Sequence, residues 1–165
     1  MDNAAYDAFV ALHVAAAVVG FGTVALSGVY GGNARRLEKE SAAEELRRYF
    51  RAPGRLELVL LGVPVFGAAA LALDPGGSGF GELWVDVGLG LWVVAAILLL
   101  GIVRPAEAVL RRALHAAEVP GDPAGDGLIS DKELPAAGRR LQWAAAGTDL
   151  IFLVALIVMI IKPGS

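Results

Sequence analysis

The chain has 165 residues, of which 56% are hydrophobic and only 19% charged, with a net charge of −3 and no cysteine. That balance leaves too little polar surface to clothe a small water-soluble domain and gives no electrostatic reason to bind nucleic acid. The missing cysteines exclude disulfides, thiolate metal sites, Cys nucleophiles and covalently attached c-type haem.

The apolar residues gather into four stretches at about 8–30, 56–73, 83–103 and 141–161. Roughly 20 apolar residues match the ~30 Å hydrocarbon core of a bilayer. The opening MDNAAYD is acidic where a signal peptide is basic, so the first stretch is expected to remain in the mature protein. Within it, His13, Ala16, Gly20, Thr23, Ser27 and Gly31 recur at steps of three and four and share one helical face. Small side chains let helix backbones approach closely in lipid, so this face should meet protein while the Val and Phe positions meet lipid. Gly28 and Gly32 add a GxxxG spacing.

The connection that follows holds Arg35, Arg36, Lys39, Arg47, Arg48, Arg51 and Arg55. Its Ser41 and Glu44 form a capping box opening a short amphipathic helix, whose Leu46, Tyr49 and Phe50 can dip into the membrane surface. Pro64 lies inside the short second span, which predicts a kink and freed backbone groups in need of partners. The loop at 74–86 contains no Lys or Arg. The third span ends at Arg104-Pro105, and a helix restarts over 106–118, with Glu107 preceding Arg111 at the favourable i,i+4 spacing.

Residues 119–137 form a second cytoplasmic loop. Its Asp122, Asp126, Ser130 and Glu133 fall on the ligand register of an EF-hand calcium loop, with Gly127 at the turn. Ala124 removes one oxygen ligand, and Pro120 and Pro135 disturb the flanking helices, so a solvated Gly/Asp loop is the plainer reading.

The fourth span carries a single ionisable residue, Asp149, about 12 Å beyond Leu141 at 1.5 Å per residue. An ionised carboxylate at that depth costs at least a few kcal/mol (about 3) unless partnered. Antiparallel matching sets Thr23 of the first span at the same level, with Ser27 a turn away. Asp149 is then either a hydrogen-bonded pin between the first and fourth helices or a proton-relay or cation site. Nearer the outer face, His13 and Met159 match in depth and Asp86 lies slightly above. A His–Met pair ligates haem iron or copper, and a carboxylate that orients the second imidazole nitrogen completes such a site. The plainer alternative has His13 bonding a carbonyl and Met159 packing. His115 lies on the opposite side of the membrane, which rules out a shared bis-His haem.

All Lys and Arg except Lys162 lie in the connections after the first and third spans. Basic residues flanking spans stay cytoplasmic, so both termini and the 74–86 loop should lie outside. The opening LHVAAAVVGFG, Arg104-Pro105, and the closing Met159-x-x-Lys162-Pro163 resemble a family of small predicted bacterial integral membrane proteins of unknown function. That family looks distantly similar to the membrane domain of copper-resistance D proteins. The resemblance implies a four-helix membrane bundle and keeps copper or haem at His13 and Met159 in view. The clustered Met and His of a copper protein are missing from this chain.

The expectation is therefore an all-α, four-span bundle forming a single transmembrane domain over 1–165, placed in a bacterial plasma membrane. Lipid is the expected partner, and a homo-oligomer or a larger membrane complex is compatible with the sequence. No phosphate loop, Ser/His/Asp order or HExxH appears, so the residues give no positive support for an enzyme. Three functional readings stay open: a metal- or haem-binding or accessory subunit, a small proton- or cation-coupled transporter using Asp149, and a purely structural interaction protein.

Overall fold

A computed structural model describes residues 4–34, 56–77, 79–118 and 133–163 of the chain. The capping-box segment and Asp122, Asp126 and Ser130 of the calcium-like loop lie outside the described residues, as does the side chain of Glu133. Every regular element among the described residues is helical: α1 (Ala4–Ala34), a 3-10 segment (Leu56–Gly62), α2 (Val63–Ala72), α3 (Leu83–Leu98), a π segment (Leu99–Val103), α4 (Arg104–Glu118) and α5 (Glu133–Ile161).

Three helical stretches are long and apolar enough to cross a membrane: Ala4–Gly32, Leu83–Arg112 and Pro135–Ile161. The expected second span is the shorter apolar stretch Leu58–Ala72. Pro64 does not kink it midway. It sits in the first turn of α2, where a missing N–H breaks no bond within that helix, and the chain before it winds as a 3-10 helix. The second proline acts differently. Pro105 has no N–H for Gly101, and its ring crowds that carbonyl. The Arg104 N–H reaches back five residues to the Leu99 oxygen, widening one turn into a π segment. The helix therefore runs on into α4 instead of stopping and restarting.

Large apolar side chains point outward along the long helices; Val18, Ile97, Leu150 and Ile160 are all more than half exposed. Contiguous apolar surface of this kind suits hydrocarbon and not water.

The chain packs as two compact units. The first comprises Met1–Thr23, Arg55–Ala96 and Thr148–Ser165, and the second Val24–Gly54 and Ile97–Gly147. In the first, Gly20 meets the main chain of Leu60 so closely that a Cβ would lie 2.8 Å from the Leu60 Cα. Ala16 and Gly20 are buried, as the small-residue face predicts. Phe21 and, in the second unit, Val24 are corrections: both are buried because their positions border the small-residue face, and Phe21 stacks on Phe152 with ring centroids 4.7 Å apart, whereas Val14, Val18, Val19 and Val29 are exposed.

In the second unit, the same face continues through Ser27, Gly28, Gly31 and Gly32, all buried. A Cβ on Gly28 would lie 2.3 Å from that of Ala145, and one on Gly31 would lie 2.8 Å from the Leu141 side chain. Helices that approach this closely gain dispersion contacts that lipid tails cannot match. Val24, Leu99, Leu110 and Leu141 fill the interior with no exposure at all. The predicted Glu107–Arg111 pair forms, at 3.9 Å.

Candidate ligand cavity

The site in the first unit begins with Pro64. In an α-helix the carbonyl of Leu60 would accept the N–H of residue 64, and proline has none. The indole N–H of Trp92 takes that carbonyl at 2.9 Å. Three residues on, the carbonyl of Val63 accepts a hydrogen bond from His13 Nδ1 at 2.8 Å. The imidazole can come this near because residue 67 is glycine: a Cβ there would lie 2.9 Å from Nδ1. A carbonyl only accepts, so Nδ1 carries the hydrogen, and in the neutral ring the lone pair lies on Nε2.

His13 lines a cavity of about 360 Å³ together with Tyr6, Asp74, Phe80, Trp84, Trp92, Met159 and Lys162. Most of the remaining wall is aliphatic or glycine. The Met159 methyl lies 3.7 Å from where a Gly88 Cβ would stand, an ordinary van der Waals distance.

The loop between α2 and α3 closes one part of this wall. Glu82 accepts hydrogen bonds from the Trp84 indole N–H and, at 3.1 Å, from the Gly79 N–H. Asp74 accepts the Gly76 N–H at 3.0 Å, and Gly77 and Gly81 adopt positive φ angles of 73° and 101°, which glycine allows without steric cost. At the end of α5, the Lys162 N–H still bonds the Val158 oxygen, but φ at Lys162 turns to 45°. The residue before a proline is disfavoured in the right-handed helical region, and Pro163 follows. A lysine in the left-handed region costs about 1–2 kcal/mol. Its ammonium lies 5.2 Å from the centre of the Trp84 ring, a contact that returns about 0.5–1 kcal/mol.

Depth matching thus brought His13 and Met159 to one cavity. Asp86 does not join them; it is exposed in the first turn of α3, and the carboxylate in the cavity wall is Asp74. Thr23 donates to the Val19 carbonyl at 2.7 Å, and buried Ser27 to that of Val24 at 2.8 Å. Asp149 is exposed, while its neighbour Thr148 is fully buried. One residue is a rotation of about 100° around a helix, and that rotation turns the carboxyl away from the expected pin. Tyr6, Trp84, Trp92, Asp74 and Lys162 were missed. A partial signal for Trp92 lay in Pro64, which denies the Leu60 carbonyl its α-helical donor.

Fold and cavity together define a helical integral membrane protein with a largely apolar pocket lined by His13 and the rings of Tyr6, Phe80, Trp84 and Trp92. Residues 8–163 match the family model described as a predicted integral membrane protein (DUF2269), and the chain belongs to that family. No curated protein and no solved structure matches the sequence.

Proposed function

We propose that the cavity binds a planar, lipid-soluble organic group through Nε2 of His13. Haem is the member of that class that would also use Met159, since iron accepts a His–Met pair. The observation that carries this reading is the His13–Val63 hydrogen bond. It fixes tautomer and ring orientation as backbone carbonyls do behind ligating histidines. The cavity volume of about 360 Å³ falls in the ~300–1,000 Å³ range of small-organic sites. Bound haem would supply one-electron chemistry. The chain's own part would be to hold the group through His13 and Met159 and to offer the Lys162 ammonium to an acidic substituent.

The absorption spectrum of the detergent-purified chain, with and without added haemin, tests this. A Soret band is expected that disappears in His13→Ala and shifts but survives in Met159→Leu. A folded chain that binds no haemin at micromolar concentration rejects haem. If a naphthoquinol, whose hydroxyl can donate to Nε2, also leaves the fluorescence of Trp84 and Trp92 unquenched, the cavity is not a site for planar organic groups.

We further propose four crossings of a bacterial plasma membrane with both termini outside. The seven 3-10 residues of Leu56–Gly62 rise ~2 Å each and the ten of α2 ~1.5 Å, so the short span extends about 29 Å, close to the ~30 Å core. The basic connections supply the orientation. Cysteines introduced at Gly79 and Arg112 read it directly: an impermeant maleimide on intact cells should label the first and spare the second. The reverse pattern inverts the topology.

A further inference from the structure

We propose that two copies of this chain pair through the Asp149 face of α5. Asp149 is the single ionisable residue between 141 and 161. It stands about 12 Å from Leu141 and about 18 Å from Ile161 along the helix, at mid-membrane depth. Its side chain is exposed and makes no hydrogen bond or ion pair among the described residues. It does not line the cavity. Carboxyl groups at this depth almost always face a protein interior or water, because leaving them in hydrocarbon costs at least ~2.5–3.5 kcal/mol. The described residues of one copy offer this carboxyl no interior, and we assign its partner to a second chain.

The residues around it fit a second copy, with Asp149 singling out this register from the equally exposed one through Leu150, Val154, Ile157 and Ile161. Asp149, Leu153, Leu156 and Ile160 recur at steps of four, three and four, and all are exposed. That is the seam of a left-handed parallel helix pair, with the polar residue at one seam position. Copies inserted in the same membrane share one orientation. A two-fold axis along the membrane normal therefore sets each seam residue opposite its own equivalent at its own depth. The partner's Asp149 then lies where a polar group is required, whereas an unrelated helix would need to carry one at that level by coincidence. A carboxyl that holds its proton both donates and accepts, so the pair satisfies itself where lipid tails offer nothing.

The full chain, naturally free of cysteine, makes a clean test. In liposomes, energy transfer between differently labelled copies should fall as lipid is added. Asp149→Asn, which keeps a donor and an acceptor, should associate within about threefold of the parent. Asp149→Leu should weaken association at least tenfold, about 1.4 kcal/mol. Leucine in contact with lipid stabilises the single chain, so that loss reads the interface and not folding. Oxidation should cross-link Leu153→Cys efficiently and Val154→Cys poorly, since Val154 is also exposed but faces about 100° away. Three results each overturn the proposal: a parent chain that stays monomeric at every dilution, equal association of Asp149→Leu, or equal cross-linking at 153 and 154. Cross-linking of Leu153→Cys to a different membrane protein in cells, with no self-adduct, assigns the face to a foreign partner and overturns it too.

Discussion

The two compact units use the same residue type for opposite ends. In the second, Gly28 and Gly31 face the small or flexible side chains of α5, Ala145 and Leu141, and the helices close until those side chains touch. In the first, Gly20 meets main chain in the same way, but Gly67 faces an imidazole, and the space it vacates becomes part of a cavity wall. What a glycine confronts, and not glycine itself, decides whether the result is a tight seam or a site. The contrast is instructive because α1 contributes to both: one helix carries packing glycines and a candidate ligand on the same face.

The largest effect should come from filling a seam glycine. Gly28→Val puts branched carbon where 2.3 Å separates even a Cβ from Ala145, and overpacking of this kind costs about 1–3 kcal/mol. Unfolding in mixed micelles should show the loss, and adding Ala145→Gly should return part of it. Gly22→Val in the same helix meets nothing within 4 Å and should be nearly silent. If both substitutions cost the same, glycine acts through helix propensity, and the proposed difference between the units disappears.

Next comes the carbonyl left by Pro64. Trp92→Phe keeps the aromatic volume but strips the indole donor from the Leu60 oxygen, and losing one such hydrogen bond costs about 0.5–1.5 kcal/mol. Pro64→Ala restores a backbone N–H and should suppress most of that cost. Additive effects in the double variant would show that the indole and the proline are unrelated. Gly67→Ala should cost less in stability and more in binding. A methyl 2.9 Å from Nδ1 must push the ring off the Val63 carbonyl, so affinity for the planar ligand should drop about tenfold, roughly 1.4 kcal/mol. An unaltered affinity would mean that the imidazole is not positioned by that hydrogen bond.

Much of the helical frame was legible, because apolar runs of bilayer length and small residues at steps of three and four are properties of the chain itself. The shared depth of His13 and Met159 followed from helical rise alone. Rotation did not follow. Whether residue 148 or 149 turns inward depends on how α5 rolls on its neighbours, and Thr148 took the buried position. Nor did hydrogen-bond exchange across helices: Pro64 announces a carbonyl without its α-helical donor, but only three-dimensional approach names Trp92 as the group that reaches it. Lys162 was invisible as a wall residue because its left-handed turn arises jointly from the helix end, Pro163 and the Trp84 face.

The smallest expected effect belongs to a feature that the sequence predicted outright. Glu107 and Arg111 meet at 3.9 Å, with the carboxylate buried and the guanidinium about one-third exposed. Helical i,i+4 pairs contribute about 0.3–0.5 kcal/mol, because solvent and salt screen the exposed partner. Arg111→Gln should therefore shift the unfolding midpoint of the full chain only slightly, and by less at 0.5 M salt than at low salt. The seam formed by Gly28, Gly31 and their α5 partners should dominate the second unit. A loss well above ~1 kcal/mol for Arg111→Gln, insensitive to salt, would reverse that ranking and make charge, not close helix approach, the main support of that unit.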